Sequence, residues 1–189
     1  MSVLIAYATK EGQTQAVAER LRERLAEHHG LEVELFNVKN ADVEAPISDY
    51  EGVILAASVH MGKHEREMVA FVNARRELLD ERKTAFVSVS MAEATAENQD
   101  KSAAERAVAA EQVHQNIETF FADCQWRSDE VFPVAGALMY SKYNILIRWI
   151  MKRIAAKEGG STDTSRDHVY TDRKELDYFA DEYVTTHFP

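Results

Sequence analysis

The stretch that decides the fold is the first one, SVLIAYATKEGQT at residues 2–14. Its apolar beginning, with β-branched Val3 and Ile5, is typical of a strand buried on both faces of a parallel sheet. The polar segment from Thr9 to Thr14 predicts a short loop, and apolar residues at helical spacing predict a helix directly after it. This arrangement places backbone N–H groups and hydroxyls at a positive helix N-terminus. The stretch therefore predicts a phosphate-binding loop.

The loop differs from two common nucleotide-binding patterns. It contains neither G-x-G-x-x-G nor G-x-x-x-x-G-K-[ST], which argues against a dinucleotide fold and against a P-loop NTPase. The same residues are also compatible with a plain turn followed by a helix cap. The position of the loop, between the first strand and the first helix, favours the phosphate site.

Length and composition indicate one domain over residues 1–189, with 46% hydrophobic residues and no expectation of disorder. The net charge of −10 argues against nucleic acid as a partner. The single cysteine, Cys124, excludes an internal disulfide and is expected to be buried in a helix. Neither a basic, apolar leader nor an apolar run of about 20 residues is present. We therefore expect no signal peptide and no membrane-spanning helix.

Strand and helix patterns alternate along the rest of the chain. Further strands are predicted at 33–38, 52–58, 83–90 and 130–138, loops at 40–48, 59–64, 92–102 and 159–164, and helices from 65 and at 103–121, 144–157 and 176–184. The alternation predicts an α/β fold, a doubly wound five-stranded parallel sheet. Ligands of such sheets bind beyond the carboxyl ends of the strands.

Two further strand ends are expected beside the phosphate loop. The third strand leads into a segment with Gly62, which permits a positive φ, and with His60 and Met61, which are placed to cover a flat ring. The fourth strand ends in Ser88 and Ser90. Both segments are equally compatible with turns that have no ligand.

Three segments resemble a known family: TKEGQT at 9–14, ASVHMGKH at 57–64, and AGALMYSKYNILIRWIMKRIAAKEGGSTDTSRDHVYTD at 135–172. They resemble the flavodoxin-like, menaquinone-dependent protoporphyrinogen IX dehydrogenases, over nearly the whole chain. The third segment is the specific one, because ordinary flavodoxins lack it. The resemblance implies a flavodoxin-like fold with strand order 2-1-3-4-5 and an insertion at about 139–172, which adds a basic, apolar helix after the fifth strand.

The resemblance also implies FMN as cofactor and the oxidation of protoporphyrinogen IX to protoporphyrin IX in haem biosynthesis, with menaquinone or another membrane quinone as acceptor. It implies a cytoplasmic protein that is peripheral on the inner face of the cell membrane. The cofactor residues that it implies are Thr9, Lys10, Glu11, Gly12, Gln13 and Thr14 around the phosphate, and Ser58, Val59, His60, Met61, Gly62, Ser88, Val89, Ser90 and Met91 around the ribityl chain and the ring.

The inserted helix carries a local concentration of positive charge. Residues 141–157 contain five lysines and arginines and no acidic residue. On a helical wheel Ile147 and Ile150 lie in an apolar sector, whereas Trp149 lies among the cations, as in helices at a membrane interface. A buried helix with extended cations is the alternative. The candidate substrate or membrane contacts are Tyr140, Lys142, Tyr143, Arg148, Trp149 and Lys152.

Other interpretations remain open. The chain is also compatible with a flavodoxin-type electron carrier, with an FMN-dependent quinone reductase that does not act on porphyrinogen, and with an interaction module that has lost FMN. His60 and His64 have i, i+4 spacing, but no third ligand is evident, so we expect no metal site. No residue stands out as a general base, and a homodimer is possible.

Overall fold

Five long parallel strands form the centre of the protein. The computed structural model describes residues 1–39, 47–142, 152–153, 155 and 161–189. The strands are β1 (Ser2–Ala8), β2 (Glu32–Asn37), β3 (Gly52–His60), β5 (Lys83–Ser90) and β6 (Glu130–Ala135), and a short β4 (Lys63–His64) pairs antiparallel with the end of β3. The long strands lie in the order β2-β1-β3-β5-β6. When β4 is set aside, this is the predicted order, so the predicted fold class is confirmed.

Helices cover both faces of the sheet. They are α1 (Gln13–Glu23), which continues as a π-helical turn at Arg24–His28, then α2 (Arg66–Asn73), α3 (Arg76–Asp80), α4 (Met91–Glu97), α5 (Ala103–Cys124) and α6 (Arg173–His187). The alternation of side chains along β1 separates two cores. Val3 and Ile5 pack with α1 and α6, whereas Leu4 and Ala6 pack with α2, α3 and α5.

The end of β6 differs from the prediction, because the fifth strand stops at Ala135 instead of continuing to Leu138. Gly136 N donates to Ser90 O at 2.9 Å, and a Cβ at this position would lie 3.3 Å from the Ser90 carbonyl. The chain then forms β7 (Ala137–Leu138), which pairs antiparallel with β8 (His168–Val169). This two-stranded ribbon joins the two ends of the inserted segment.

Two predicted loops are wrong in part. Residues 59–64 form the β3–β4 hairpin, and residues 92–97 of the predicted loop 92–102 belong to α4. The Ser90 hydroxyl accepts a hydrogen bond from Glu93 N at 3.1 Å and so provides an N-cap for α4. The polar composition of the segment hid a helix that alanine and glutamate favour.

Several predictions concern residues outside the described ranges. They are residues 40–46 of the loop at 40–48, most of the helix at 144–157, and Tyr143, Arg148 and Trp149. None of the helices in the described part of the chain has the length and the apolar character that crossing a bilayer requires.

Candidate functional site

The predicted phosphate loop folds as a tight turn at the N-terminus of α1. Gly12 N donates to Thr9 Oγ1 at 2.9 Å, and Gly12 has a φ of 94°, which favours glycine. The helix starts at Gln13 without a side-chain cap and without an acidic residue in its first turn. An uncapped helix N-terminus of this kind is suited to an anion.

Thr14 provides the test of whether this loop fits a phosphate. Its side chain is fully buried in the first turn of α1, and its hydroxyl oxygen has no hydrogen-bond partner. A buried hydroxyl without a partner costs about 1–3 kcal/mol. A phosphate oxygen on the loop would remove that cost, so the residues present fit a phosphate group.

Lys39 contacts the phosphate loop, and the sequence analysis did not predict this contact. It follows β2, and its Nζ donates to the Thr9 carbonyl at 2.5 Å. The ammonium group adds positive charge next to the loop and fixes its first residue. The sequence offered no signal for this contact, because Lys39 looks like any cation after an edge strand.

A second missed residue, Thr171, connects the loop to the end of the inserted segment. Gln13 Nε2 donates to Thr171 Oγ1 at 2.7 Å, and that hydroxyl donates to the Ala135 carbonyl at 2.6 Å. The chain of hydrogen bonds therefore runs from the phosphate loop, through the segment that precedes α6, to the carboxyl end of β6.

The β3–β4 hairpin presents the predicted ring-covering residues. Met61 and Gly62 have φ values of 53° and 78°, so both central residues of the two-residue turn are left-handed. This conformation costs a non-glycine residue about 1 kcal/mol. The Met61 side chain is fully exposed at the tip, where it can contact a ligand or a partner.

A hydrogen-bonded group lies below the hairpin. Ser58 Oγ donates to Glu65 Oε1 at 2.5 Å and lies 3.2 Å from His60 Nε2. His60 Nε2 is also 3.4 Å from Glu11 Oε2, which belongs to the phosphate loop. The structure therefore brings Ser58 and His60, from one predicted cofactor segment, close to Glu11 from another, and adds Glu65.

The residues at the end of β5 are engaged within the protein. Ser88 Oγ lies 2.9 Å from His64 Nε2, and Ser90 caps α4. Val89 is buried, and Met91 packs partly buried beside the small cluster that contains Tyr140. The side chains of these residues are therefore held by contacts within the protein.

His64 is a core residue rather than a ligand. Its ring packs edge-on against Phe86 and Phe120, with ring centroids 5.1 Å apart in each case. Burial lowers its pKa to about 3, so the ring is neutral at physiological pH. In the described part of the chain, the group with metal-ligand spacing is His28, His29 and Asp181, but both oxygens of Asp181 accept hydrogen bonds from Arg24.

The described residues of the inserted segment lie in two environments. Tyr140 is fully buried, and its hydroxyl donates to Ser161 O at 2.8 Å, so it does not present its ring to a ligand as predicted. The apolar surface of Leu138 and Ala155 covers the ring instead. Lys142 and Lys152 are exposed. The base of the insertion is therefore an internal cluster with cations on its outer side.

Comparisons with known proteins agree with this architecture. The flavodoxin domain model matches residues 4–165. The chain is 30% identical to protoporphyrinogen IX dehydrogenase [quinone] of Escherichia coli (strain K12) over 182 residues, which are 96% of this chain and 94% of that protein. The protein of the same name from Leishmania major is 28% identical over 183 residues, 96% of this chain and 74% of its own.

A solved structure supports the fold independently. Oxidised Flavodoxin 1 from Bacillus cereus aligns over 98% of both chains with a TM-score of 0.53 at 14% identity. At that identity the likeness shows the fold alone. The full-length relationships and the domain match show more: this chain belongs to the flavodoxin domain family, and within it to the group of the protoporphyrinogen IX dehydrogenases [quinone].

Proposed function

We propose that this protein is an FMN-dependent oxidoreductase that oxidises protoporphyrinogen IX to protoporphyrin IX and passes the electrons to a quinone. The observation that carries this proposal is the 30% identity, over 96% of the chain, to an enzyme of that name. Because the relationship extends through both the phosphate loop and the inserted segment, it supports the substrate as well as the fold.

The phosphate loop supports FMN as the cofactor. Thr9, Gly12 and Thr14 would hold the phosphate at the uncapped start of α1, with Lys39 beside them. The β3–β4 hairpin, with His60 and Met61, would cover the ring. When bound, FMN supplies the two-electron redox chemistry, and the protein binds and orients it.

The inserted segment supports a peripheral contact with a membrane, where quinones and porphyrinogens concentrate. Lys152 and Arg153 are exposed, whereas Ala155 is 3% exposed and packs on Leu138 and Tyr140. In the described part of this segment, Ala155 thus packs on the protein, and Lys152 and Arg153 are exposed cations. Each cation near anionic lipid contributes about 1 kcal/mol to binding.

Anaerobic turnover tests the activity. The purified protein is reconstituted with FMN and mixed with protoporphyrinogen IX, with and without a menaquinone analogue, and porphyrin is followed by its fluorescence. We expect porphyrin to form only when the quinone is present. Bound flavin without porphyrin would refute the proposed substrate and would favour the electron carrier or a quinone reductase. A protein that binds no FMN would refute the enzyme altogether.

Vesicle binding tests the membrane contact. The triple variant Arg148→Ala, Trp149→Ala and Lys152→Ala is compared with wild type for co-sedimentation with vesicles of 30% anionic lipid and of neutral lipid alone. We expect about tenfold or greater loss on the anionic vesicles. Arg22→Ala, which removes an exposed cation from α1, is the control. Equal binding of the triple variant and wild type would refute the contact.

A further inference from the structure

His60 lies at the junction of the two loops that would hold the cofactor. It ends β3, and its Nε2 is 3.4 Å from Glu11 Oε2 of the phosphate loop and 3.6 Å from Glu65 Oε1. The side chain is 29% exposed, so part of the ring is open to solvent while Nε2 contacts the protein. Lys63, on the same hairpin, turns away to Asp123 at 3.8 Å.

Glu65 is an unusual residue in this position. It is the N-cap residue of α2, yet its side chain does not cap the helix. The carboxyl group is instead fully buried, with Oε1 bonded to Ser58 and Oε2 without a hydrogen-bond partner. A buried carboxylate with one unpartnered oxygen is costly, and a helix cap of the usual kind would avoid that cost. Helix capping therefore does not explain why Glu65 is buried against Ser58 and His60.

The hydrogen bonds among Ser58, Glu65 and His60 determine which nitrogen of the His60 ring carries the proton. Because the Ser58 hydroxyl donates to Glu65, its oxygen is left to accept, and His60 must donate from Nε2. In a neutral ring this leaves Nδ1 without a proton. Nδ1 has no hydrogen-bond partner within the described residues. The ring is thus held in the tautomer in which Nδ1 can accept a proton from a ligand.

We infer that His60 is the general base of the oxidation and that Ser58 and Glu65 are its positioning residues; this inference rests on the proposed function. When bound, FMN would supply the oxidant that takes two electrons and one hydrogen from a bridging carbon of the porphyrinogen, and Nδ1 of His60 would take the proton that a pyrrole N–H loses in the same two-electron step. The quinone later takes up the two electrons with two protons. Glu11 and Glu65 offset the positive charge on the imidazolium, which then releases its proton to solvent.

Stopped-flow reduction tests the role of His60. FMN-loaded His60→Gln, Glu65→Gln and Ser58→Ala are mixed anaerobically with protoporphyrinogen IX across pH 5.5–8.5, and loss of flavin absorbance gives the rate. We expect about 10²-fold loss for His60→Gln with loss of the pH dependence, and roughly three- to tenfold loss for Glu65→Gln and for Ser58→Ala. Lys63→Gln, on the same hairpin, should stay within about twofold. If Glu65→Gln does not fold, Ser58→Ala still tests whether this hydrogen-bonded group positions His60.

A second measurement does not depend on the substrate. The bound FMN is photoreduced in weakly buffered solution, and an indicator dye reports the protons taken up per two electrons at each pH. We expect the proton count of His60→Gln to lose a pH-dependent component that wild type and Lys63→Gln retain. If His60→Gln retains both the wild-type rate profile and the proton count, the inference is wrong. If wild type is not reduced by protoporphyrinogen IX, the proposed function fails, and the proton count alone decides whether His60 exchanges protons with the site.

Discussion

At the scale of single residues, Thr14 carries most information about the site. It is fully buried, hydroxyl-bearing and without a partner, although most buried hydroxyls in proteins are hydrogen-bonded. Valine has nearly the same shape, so Thr14→Val removes the hydroxyl without leaving a cavity. The ligand-free protein thus carries a cost that a phosphate bound at this loop would remove.

Thr14→Val should therefore separate stability from binding. We expect the FMN-free variant to gain about 1 kcal/mol in the free energy of unfolding, because an unsatisfied polar atom is removed. FMN affinity, measured by quenching of flavin fluorescence, should fall about tenfold, which corresponds to about 1.4 kcal/mol.

The control for Thr14 is Thr84→Val. The Thr84 hydroxyl donates to Asp129 Oδ2 at 2.9 Å and accepts from Asp129 N at 3.0 Å, far from the phosphate loop in sequence. Its loss should lower stability and leave FMN affinity unchanged. Unaltered FMN affinity in Thr14→Val would show that the hydroxyl does not meet the phosphate.

At the scale of elements, the phosphate loop and the inserted segment are coupled through Gln13, Thr171 and Ala135. Thr171→Val removes both hydrogen bonds of that hydroxyl. We expect FMN affinity to fall about two- to fivefold, because the Gln13 side chain and the loop lose a fixed partner, with a stability loss of about 1 kcal/mol. Isothermal titration with FMN and chemical denaturation measure the two quantities.

Thr185→Val is the matched control for Thr171. The Thr185 hydroxyl also donates to a backbone carbonyl, that of Asp181 at 2.8 Å, but it lies exposed on α6. FMN affinity should be unchanged in this variant. A Thr171→Val protein with wild-type affinity would show that the inserted segment and the loop act independently.

The groove between α4 and α6 gives a prediction about pH. It has a volume of about 370 Å³, and Glu93, Glu97 and Glu175 line it together with Phe132 and Pro133. Burial, with the charges of Glu175 and Glu93, raises the pKa of Glu97 to about 7. Between the unfolded value of 4.5 and pH 7 the folded protein binds more protons than the unfolded chain, so the stabilisation present in acid is lost as pH rises through 7.

Glu97→Gln should accordingly raise the melting temperature at pH 8 and change it little at pH 5. Because the side chain is exposed in part, the gain should stay below about 1 kcal/mol. Glu118→Gln is the opposite case, since Arg127 lowers the pKa of Glu118, and the substitution should not stabilise the protein at pH 8. If the difference in melting temperature between Glu97→Gln and wild type does not change with pH, the raised pKa of Glu97 is refuted.

At the scale of the whole molecule, one of the two cores contributes to the pH dependence of stability through a buried histidine. His64 is buried between Phe86 and Phe120 in one core, and burial lowers its pKa from 6.5 to about 3. Below pH 6.5 His64 is protonated in the unfolded chain, whereas in the folded protein it stays neutral until the pH approaches 3. The stability present above pH 6.5 is therefore lost as pH falls towards 3, by about 1.4 kcal/mol per pH unit.

Urea denaturation at pH 7, 6 and 5 measures this loss. His64→Gln should be less stable than wild type at pH 7 but should lose less of its stability as pH falls. His114→Gln, which replaces an exposed histidine on α5, should keep the wild-type slope. Asp181, whose pKa Arg24 holds below its usual value, titrates at lower pH and stays out of this window. Equal slopes in wild type and His64→Gln would contradict the assignment.

The sequence by itself determined the order of the five long strands and the loop that joins β1 to α1. The apolar run of β1, the polar loop and the amphipathic α1 are local patterns, because each depends only on residues that are close to one another in the sequence. Burial of β1, β3 and β5 on both faces follows directly from their apolar runs. The resemblance in the segments at 9–14 and 135–172 predicted the family correctly.

Only the tertiary structure decided which polar residues meet. Gln13 and Thr171 are 158 residues apart, and no local pattern indicates their hydrogen bond. Glu65 looks like the first residue of a helix, yet the fold buries it behind Ser58 and His60. Tyr140 was predicted to contact substrate or membrane, but the fold buries it with Leu138 and Ala155. Such partners depend on how distant elements pack, because a side chain's burial and hydrogen bonds are set by its neighbours in space and not by its neighbours in the chain.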